Sequence, residues 1–205
     1  PEGGAARAMA GSSEPWPATV FEQVNPVVAS RVREHAVAEL TRFDIRDSRL
    51  ESDDSGLLES PISNRESPTR VWDLYAGIGE STRLLAERGL AVESVELDAR
   101  AVALAERIGP PGPRRLAGAA EDLVTRLSPP TLVLTNPPRA GMHEGVVAAL
   151  ARSGARRIVY ISCDPGTLAR DLRRLDSGYR LAGLIAFDQF PQTAHVECVA
   201  TLERR

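Results

Sequence analysis

The sequence predicts an α/β domain: a mostly parallel, twisted sheet with helices on both faces and an antiparallel hairpin at its C-terminal edge. Three observations predict it. Between residues 70 and 175, short β-branched and apolar runs alternate with segments of helical spacing, the pattern of parallel strands joined by crossover helices. Glycines cluster where the first of these runs ends, in Asp73-Leu74-Tyr75-Ala76-Gly77-Ile78-Gly79-Glu80. Two further strand-like runs, 179–187 and 195–202, follow one another with no helix between them, only Asp188-Gln189-Phe190-Pro191-Gln192-Thr193.

Taken in order, residues 1–17 are rich in Gly, Ala, Ser and Pro and read as a flexible N-terminal tail on a chain that starts at Pro1 without a methionine. Residues 18–205 read as one catalytic domain. Asn25-Pro26 has the form of a helix cap followed by proline in the first turn, and Val28, Val32, Ala36 and Leu40 then share one face, so a helix is expected to about residue 40. Residues 44–69 are serine-rich and acidic, with scattered Leu57, Leu58 and Ile62, and read as a long surface loop. Strands are expected at 71–75, 91–96, 132–135 and 158–162, followed in turn by helices at 81–88, 99–108, 143–152 and 167–175. The runs at 179–187 and 195–202 form the closing hairpin, with the second on the sheet edge.

At 205 residues, 42% hydrophobic and 26% charged, the chain can bury a full core. It contains no apolar stretch of membrane-spanning length and no secretory leader pattern, so the expected location is cytoplasmic, with no membrane partner. Two cysteines, Cys163 and Cys198, are too few for a disulfide framework or a four-cysteine zinc site, and no metal is expected. All 25 basic residues are arginine, and the net charge of −3 leaves no dominant basic field.

Two places carry chemistry. Gly77 and Gly79 let the backbone turn tightly at the end of the first strand, and the next strand ends on Glu96, where an acid can accept hydrogen bonds from both hydroxyls of a ribose. There is no third glycine of a dinucleotide fingerprint and no Gly-Lys-Ser/Thr phosphate loop. That favours a cofactor without a pyrophosphate, which S-adenosyl-L-methionine satisfies. The second place is Cys163, which ends the apolar run Arg157-Ile158-Val159-Tyr160-Ile161 and precedes a helix whose first turn holds Pro165. A thiol near the positive end of a helix is placed to react as a thiolate. Cys198, next to Glu197 on a strand, points to the opposite face, into the core.

Four blocks, in order, resemble the S-adenosylmethionine-dependent RNA uracil-5-methyltransferases, which make 5-methyluridine in transfer and ribosomal RNA. They are Phe21-Glu22-Gln23-Val24-Asn25-Pro26, the Asp73 to Gly79 loop, Asn136-Pro137-Pro138-Arg139-Ala140-Gly141, and the Cys163 segment with Phe190-Pro191-Gln192-Thr193-Ala194-His195-Val196-Glu197. The resemblance runs from Phe21 to Leu202 and implies a Rossmann-like class I methyltransferase fold. It implies Cys163 as nucleophile, Glu197 as proton-abstracting base and Arg139 beside the target base. Gln23, Tyr75, Glu80, Glu96 and Asn136 fall on its cofactor-contact positions, with Gly77 in the same loop. Its implied partner is RNA, either tRNA or rRNA. Such proteins normally carry an accessory N-terminal RNA-binding module, which this sequence does not show.

The chain departs from the family pattern at two of these positions. Glu80 stands where Asn is common, and Asn136 where Asp precedes Pro-Pro-Arg, so one change adds a negative charge and the other removes one. The two are expected to cancel. Phe187 and Phe190 are candidate stacking partners for an extruded base. Two other readings stand beside this one: a methyltransferase acting on an exocyclic amine through Asn136-Pro137-Pro138, and a cofactor- or RNA-binding remnant without activity.

Overall fold

The computed structural model describes residues 25–50, 68–189, 191–193 and 195–205, the side chains of 43–50 excepted. The expectations for the 1–17 tail, Gln23 and Phe190 lie outside these residues. The element order is α1 (Pro26–Leu50), β1 (Arg70–Leu74), α2 (Glu80–Glu87), β2 (Ala91–Glu96), α3 (Ala99–Ile108), β3 (Arg114–Ala117), α4 (Ala120–Leu123), a 3₁₀ turn (Val124–Arg126), β4 (Leu132–Thr135), α5 (Glu144–Ser153), β5 (Arg157–Ser162), α6 (Pro165–Leu175), β6 (Tyr179–Phe187) and β7 (Glu197–Arg204).

The strands make a seven-stranded sheet in the order β3-β2-β1-β4-β5-β7-β6. β1 to β5 pair in parallel, and β7 pairs antiparallel with both β5 and β6. Strand alternation divides the core into two layers. Trp72, Leu74, Val133, Ile158, Tyr160, Cys198 and Ala200 pack with α4, α5 and α6. Val71, Leu132, Leu134, Val159, Ile161 and Val199 pack against Val32, Ala36, Val37 and Leu40 of α1 and Leu85 of α2. The β-branched and leucine runs of β4 and β5 are buried along their whole length, as strands covered on both faces must be.

Local signals place the helix starts. Asp98 caps α3 by accepting from the Arg100 backbone N–H, and Asp164 caps α6 by accepting from that of Thr167, with Pro165 in the first turn. His143 caps α5, and Gly154 closes it in the left-handed conformation.

Three expectations change. α1 continues to Leu50, past the expected end near 40 and into the expected 44–69 loop, because no glycine or proline interrupts 27–50; residues 51–67 lie outside the described set. The short strand β3 and α4 escape the periodic pattern. β3 is four residues headed by two arginines, held at the sheet edge by parallel pairing to β2 and by Arg114–Glu93 at 2.5 Å. Last, the edge of the closing hairpin is β6, not β7, because the chain doubles back and inserts β7 between β5 and β6. Glu197 therefore stands on an interior strand.

Candidate active site

The carboxyl ends of β1, β2, β4 and β5 and the amino end of β7 converge on one edge of the sheet. β1 ends at Leu74, and Tyr75 leaves it at φ 61, a left-handed conformation that a non-glycine residue adopts only at a cost. Burial pushes the Tyr75 phenol up to about 12. Gly77 and Gly79 continue the turn at φ 56 and 81. A Cβ at Gly77 would meet nothing within 4 Å, so the loop presents open space there, whereas at Gly79 it would lie 3.1 Å from Ala105 Cβ of α3. Gly77 is thus a place where a ligand can approach backbone, and Gly79 a close helix-to-loop contact.

Glu96, half-buried at the end of β2, accepts from the Gly77 backbone N–H at 2.8 Å and from that of Asp98 at 2.9 Å. Its carboxylate is therefore aimed across the glycine loop. Beneath the loop, Asp73 is buried and accepts from the Thr82 hydroxyl at 2.6 Å. Burial pushes its carboxyl up to about 7, with Glu96 adding to the rise and the Thr82 hydrogen bond opposing it. Glu80 opens α2, where a negative charge suits the helix dipole, and pairs with Arg33 of α1 at 2.8 Å. The added charge of Glu80 thus has a cationic partner in Arg33.

Asn136 starts the loop after β4, its backbone N–H donating to Leu74 O at 3.1 Å. The loop is latched to α6 by three side chains. Thr167 Oγ1 donates to Arg139 O at 3.1 Å, Arg170 Nη2 to Ala140 O at 2.8 Å, and Asp171 Oδ2 accepts from the Met142 backbone N–H at 2.8 Å. Asp171 is fully buried, and its charge is met by Arg170, Arg174 and the Tyr160 hydroxyl. Three hydrogen bonds therefore tie the Arg139 loop to the helix that begins just after Cys163. Arg139 itself is exposed, and its charge helps hold the Asp164 carboxyl low, an effect due first to the Thr167 backbone hydrogen bond.

Cys163 is a half-buried free thiol one residue beyond β5. β5 pairs with β7 up to Ser162 opposite Cys198, so the next positions outward in that register are Cys163 and Glu197. Glu197 is 3% exposed, and burial alone pushes its carboxyl up to about 7. Its backbone pairs with Phe187 of β6, while its carboxylate makes no hydrogen bond or ion pair among the described residues. It lines a cavity with Asn136, Gln189, Ile161 and, from α1, Ala29, Val32 and Arg33.

Of the sequence-predicted residues, the structure gathers Tyr75, Gly77, Glu80 and Glu96 around the glycine loop, and Asn136 with Glu197 around the cavity. Cys163, one residue beyond β5, is not among the residues lining that cavity, and Arg139 stands on the latched turn. Phe187 packs half-buried against the core, its ring 5.5 Å from that of His35. Cys198 is buried, as expected. Arg33, Gln189 and Asp171 were not anticipated. Gln189, buried in a loop, carried no periodic signal, and an Arg-Asp pair within a helix resembles an ordinary solvated turn. No group of three or more potential metal ligands, and no helix long and apolar enough to cross a membrane, occurs among the described residues.

Comparison with known proteins bears on this edge of the sheet. Residues 123–205, which hold the latched loop, Cys163 and Glu197, match the tRNA (Uracil-5-)-methyltransferase family. An RNA methyltransferase of Gloeobacter violaceus is 45% identical over 139 residues, 65% of this chain and 30% of that protein. The 23S rRNA (uracil(747)-C(5))-methyltransferase RlmC of Shewanella loihica is 34% identical over 145 residues, 67% of this chain and 38% of its own length. In three dimensions, the Pyrococcus abyssi tRNA (uracil-54, C5)-methyltransferase in complex with S-adenosyl-L-homocysteine superposes with a TM-score of 0.67 at 29% identity, covering 90% of this chain and 40% of that one. The chain spans 30% to 38% of the length of the curated relatives it matches. In sequence over residues 123–205, and in fold over nearly its whole length, the chain is similar to tRNA (uracil-5-)-methyltransferases.

Proposed function

We propose that this domain methylates carbon 5 of a uridine in RNA, with S-adenosyl-L-methionine as methyl donor, Cys163 as nucleophile, Glu197 as base and Arg139 as stabiliser of the developing oxyanion. The observation that carries the reading is the pairing of Ser162 with Cys198, since Cys163 follows the one directly and buried Glu197 precedes the other, so that the antiparallel register continued by one residue would set them opposite each other. The site fits the cofactor: Gly77 leaves open space over a positive-φ backbone, Glu96 offers a carboxylate to a ribose, and neutral Asn136 lines the cavity beyond. When bound, S-adenosyl-L-methionine supplies an electrophilic methyl on a sulfonium.

Carbon 5 of uracil is a weak nucleophile. The Cys163 thiolate adds to carbon 6, forming the S–C6 bond and moving the ring electrons onto O4 as an enolate. Arg139, on the turn fixed to α6, stabilises that oxygen. Carbon 5 thereby becomes nucleophilic toward the methyl the cofactor would supply, the C5–CH3 bond forming as the sulfonium S–CH3 bond breaks and leaves the thioether S-adenosyl-L-homocysteine. Glu197 then removes the carbon-5 proton, the C5=C6 bond re-forms, the S–C6 bond breaks and the thiolate leaves. A carboxyl near 7 suits this task, since it is basic enough to take a carbon-bound proton yet ionised in a substantial fraction at neutral pH. The product is 5-methyluridine.

The test is covalent trapping with tRNA and rRNA transcripts containing 5-fluorouridine. The protein with S-adenosyl-L-methionine should give a denaturation-resistant RNA adduct, absent in Cys163→Ala. Glu197→Gln should accumulate adduct on ordinary uridine RNA, because the carbon-5 proton stays in place. Methyl incorporation that persists in Cys163→Ala would favour the exocyclic-amine reading. No incorporation and no adduct with either RNA would favour the inactive remnant.

A further inference from the structure

Resting on the cofactor reading above, we propose that Arg33 forms the subsite for the amino-acid end of the cofactor, its guanidinium receiving the α-carboxylate while Glu80 offers the opposite charge to the ammonium. The Arg33 side chain is 15% exposed and that of Glu80 26%, with Nη2 2.8 Å from Oε1. Apolar contacts of Val32, Ala36 and Leu85 already pack α1 and α2 in one layer. A part-buried ion pair adds little to such packing, because desolvation offsets much of the attraction. The planar guanidinium is, in contrast, shaped to take a carboxylate through two parallel N–H donors.

Position along the sheet edge points the same way. Glu96 ends β2, the glycine loop follows β1, Asn136 follows β4, and Cys163 and Glu197 lie at β5 and β7. A thioether or sulfonium nucleoside with its ribose at Glu96 and its sulfur toward Cys163 has one branch left, and that branch is a zwitterion. Arg33 comes from α1, lines the same cavity as Asn136 and Glu197, and reaches Glu80 at the start of α2. The pair thus sets a positive and a negative group side by side between the glycine loop and the catalytic carboxyl. Glu80, the residue at odds with the usual Asn, becomes intelligible: with Arg33 beside it, a carboxylate there does not repel an amino acid's own carboxylate.

The test measures binding, not turnover. S-adenosyl-L-homocysteine and 5′-methylthioadenosine, which lacks the amino-acid moiety, are titrated into the wild-type protein and into Arg33→Gln and Arg33→Lys. Arg33→Gln should weaken S-adenosyl-L-homocysteine by about 10- to 100-fold, the usual loss for a hydrogen bond to a charged group, and leave 5′-methylthioadenosine unchanged. Arg33→Lys should fall between, keeping the charge but not the fork. Equal weakening of both ligands, or of neither, would overturn the subsite. Should Arg33→Gln not fold, the wild-type protein decides by itself: S-adenosyl-L-homocysteine must bind more tightly than its α-carboxamide, and equal affinities refute the proposal. Wild-type protein that binds neither nucleoside overturns the cofactor reading and the subsite with it.

Discussion

Glu197 is the residue whose surroundings most determine its chemistry. Burial raises its carboxyl from 4.5 to about 7, so the folded protein holds that proton more tightly than the unfolded chain does. Stability therefore falls as pH rises from 4.5 to about 7 and levels off above it. Asp73 acts in the same direction from 3.8 to about 7. Asp98 and Asp164, both held low by hydrogen bonds, act with opposite sign and only as pH drops below 3.8. Glu197→Gln, uncharged at every pH, should gain stability over the wild type as pH rises across the Glu197 window. Urea midpoints at pH 5 and pH 8 measure this, and a difference that shrinks with pH would contradict it. The methylation rate should climb through about pH 7 as Glu197 ionises. Flat single-turnover rates between pH 6 and 8 would remove Glu197 as the base. Cys163 was legible in the sequence because its place, between a β-branched run and a Pro-started helix, is a local pattern. The depth at which Glu197 lies was not, because burial depends on β6, β5 and α1 together.

At the scale of elements, the latch between the Arg139 loop and α6 is the feature with the sharpest consequences. Gly141 sits at φ 80, and a Cβ there would lie 2.4 Å from Arg170 Nη2 and 2.6 Å from Asp171 Oδ2. Gly141→Ala should cost about 1–3 kcal/mol through backbone strain and displacement of that pair. Asp171→Ala leaves the Met142 N–H and the Tyr160 hydroxyl without their acceptor in the core and should cost about 3 kcal/mol. Denaturant midpoints test both, and a change below about 0.5 kcal/mol, the usual scale for surface positions, would show that the latch does not hold. Helix starts were readable because their signals are local: Asn25, whose Oδ1 accepts from the Val28 backbone N–H, and Pro165 act within one turn of chain. Helix ends and edge strands were less so. α1 outran its apolar stripe because nothing in 27–50 breaks a helix, and β3 owes its existence to pairing with β2.

Across the whole molecule, the parallel core is covered on both faces while β6 is not. Leu181, Leu184 and Ile185 are 49%, 53% and 46% exposed on an edge strand of nine residues, whose bulge between Leu181 and Gly183 is a common means of roughening such an edge. Isolated in this form, the domain should self-associate as its concentration rises, and Ile185→Lys should reduce that association. Light scattering across a dilution series checks it; identical behaviour of the two proteins would clear the edge of responsibility.

The sequence by itself determined the α/β class, the alternation of strand and helix, the glycine turn and the place of Cys163 between a strand and a helix, because each is written in neighbouring residues within reach of one turn or one strand. Only the tertiary structure decided that β7 inserts between β5 and β6, that Ser162 pairs with Cys198 just before Cys163 and just after Glu197, and that Arg33 meets Glu80 across α1 and α2. Those contacts join residues far apart in the chain, and their energies come from sheet pairing and shared burial, which no local pattern encodes.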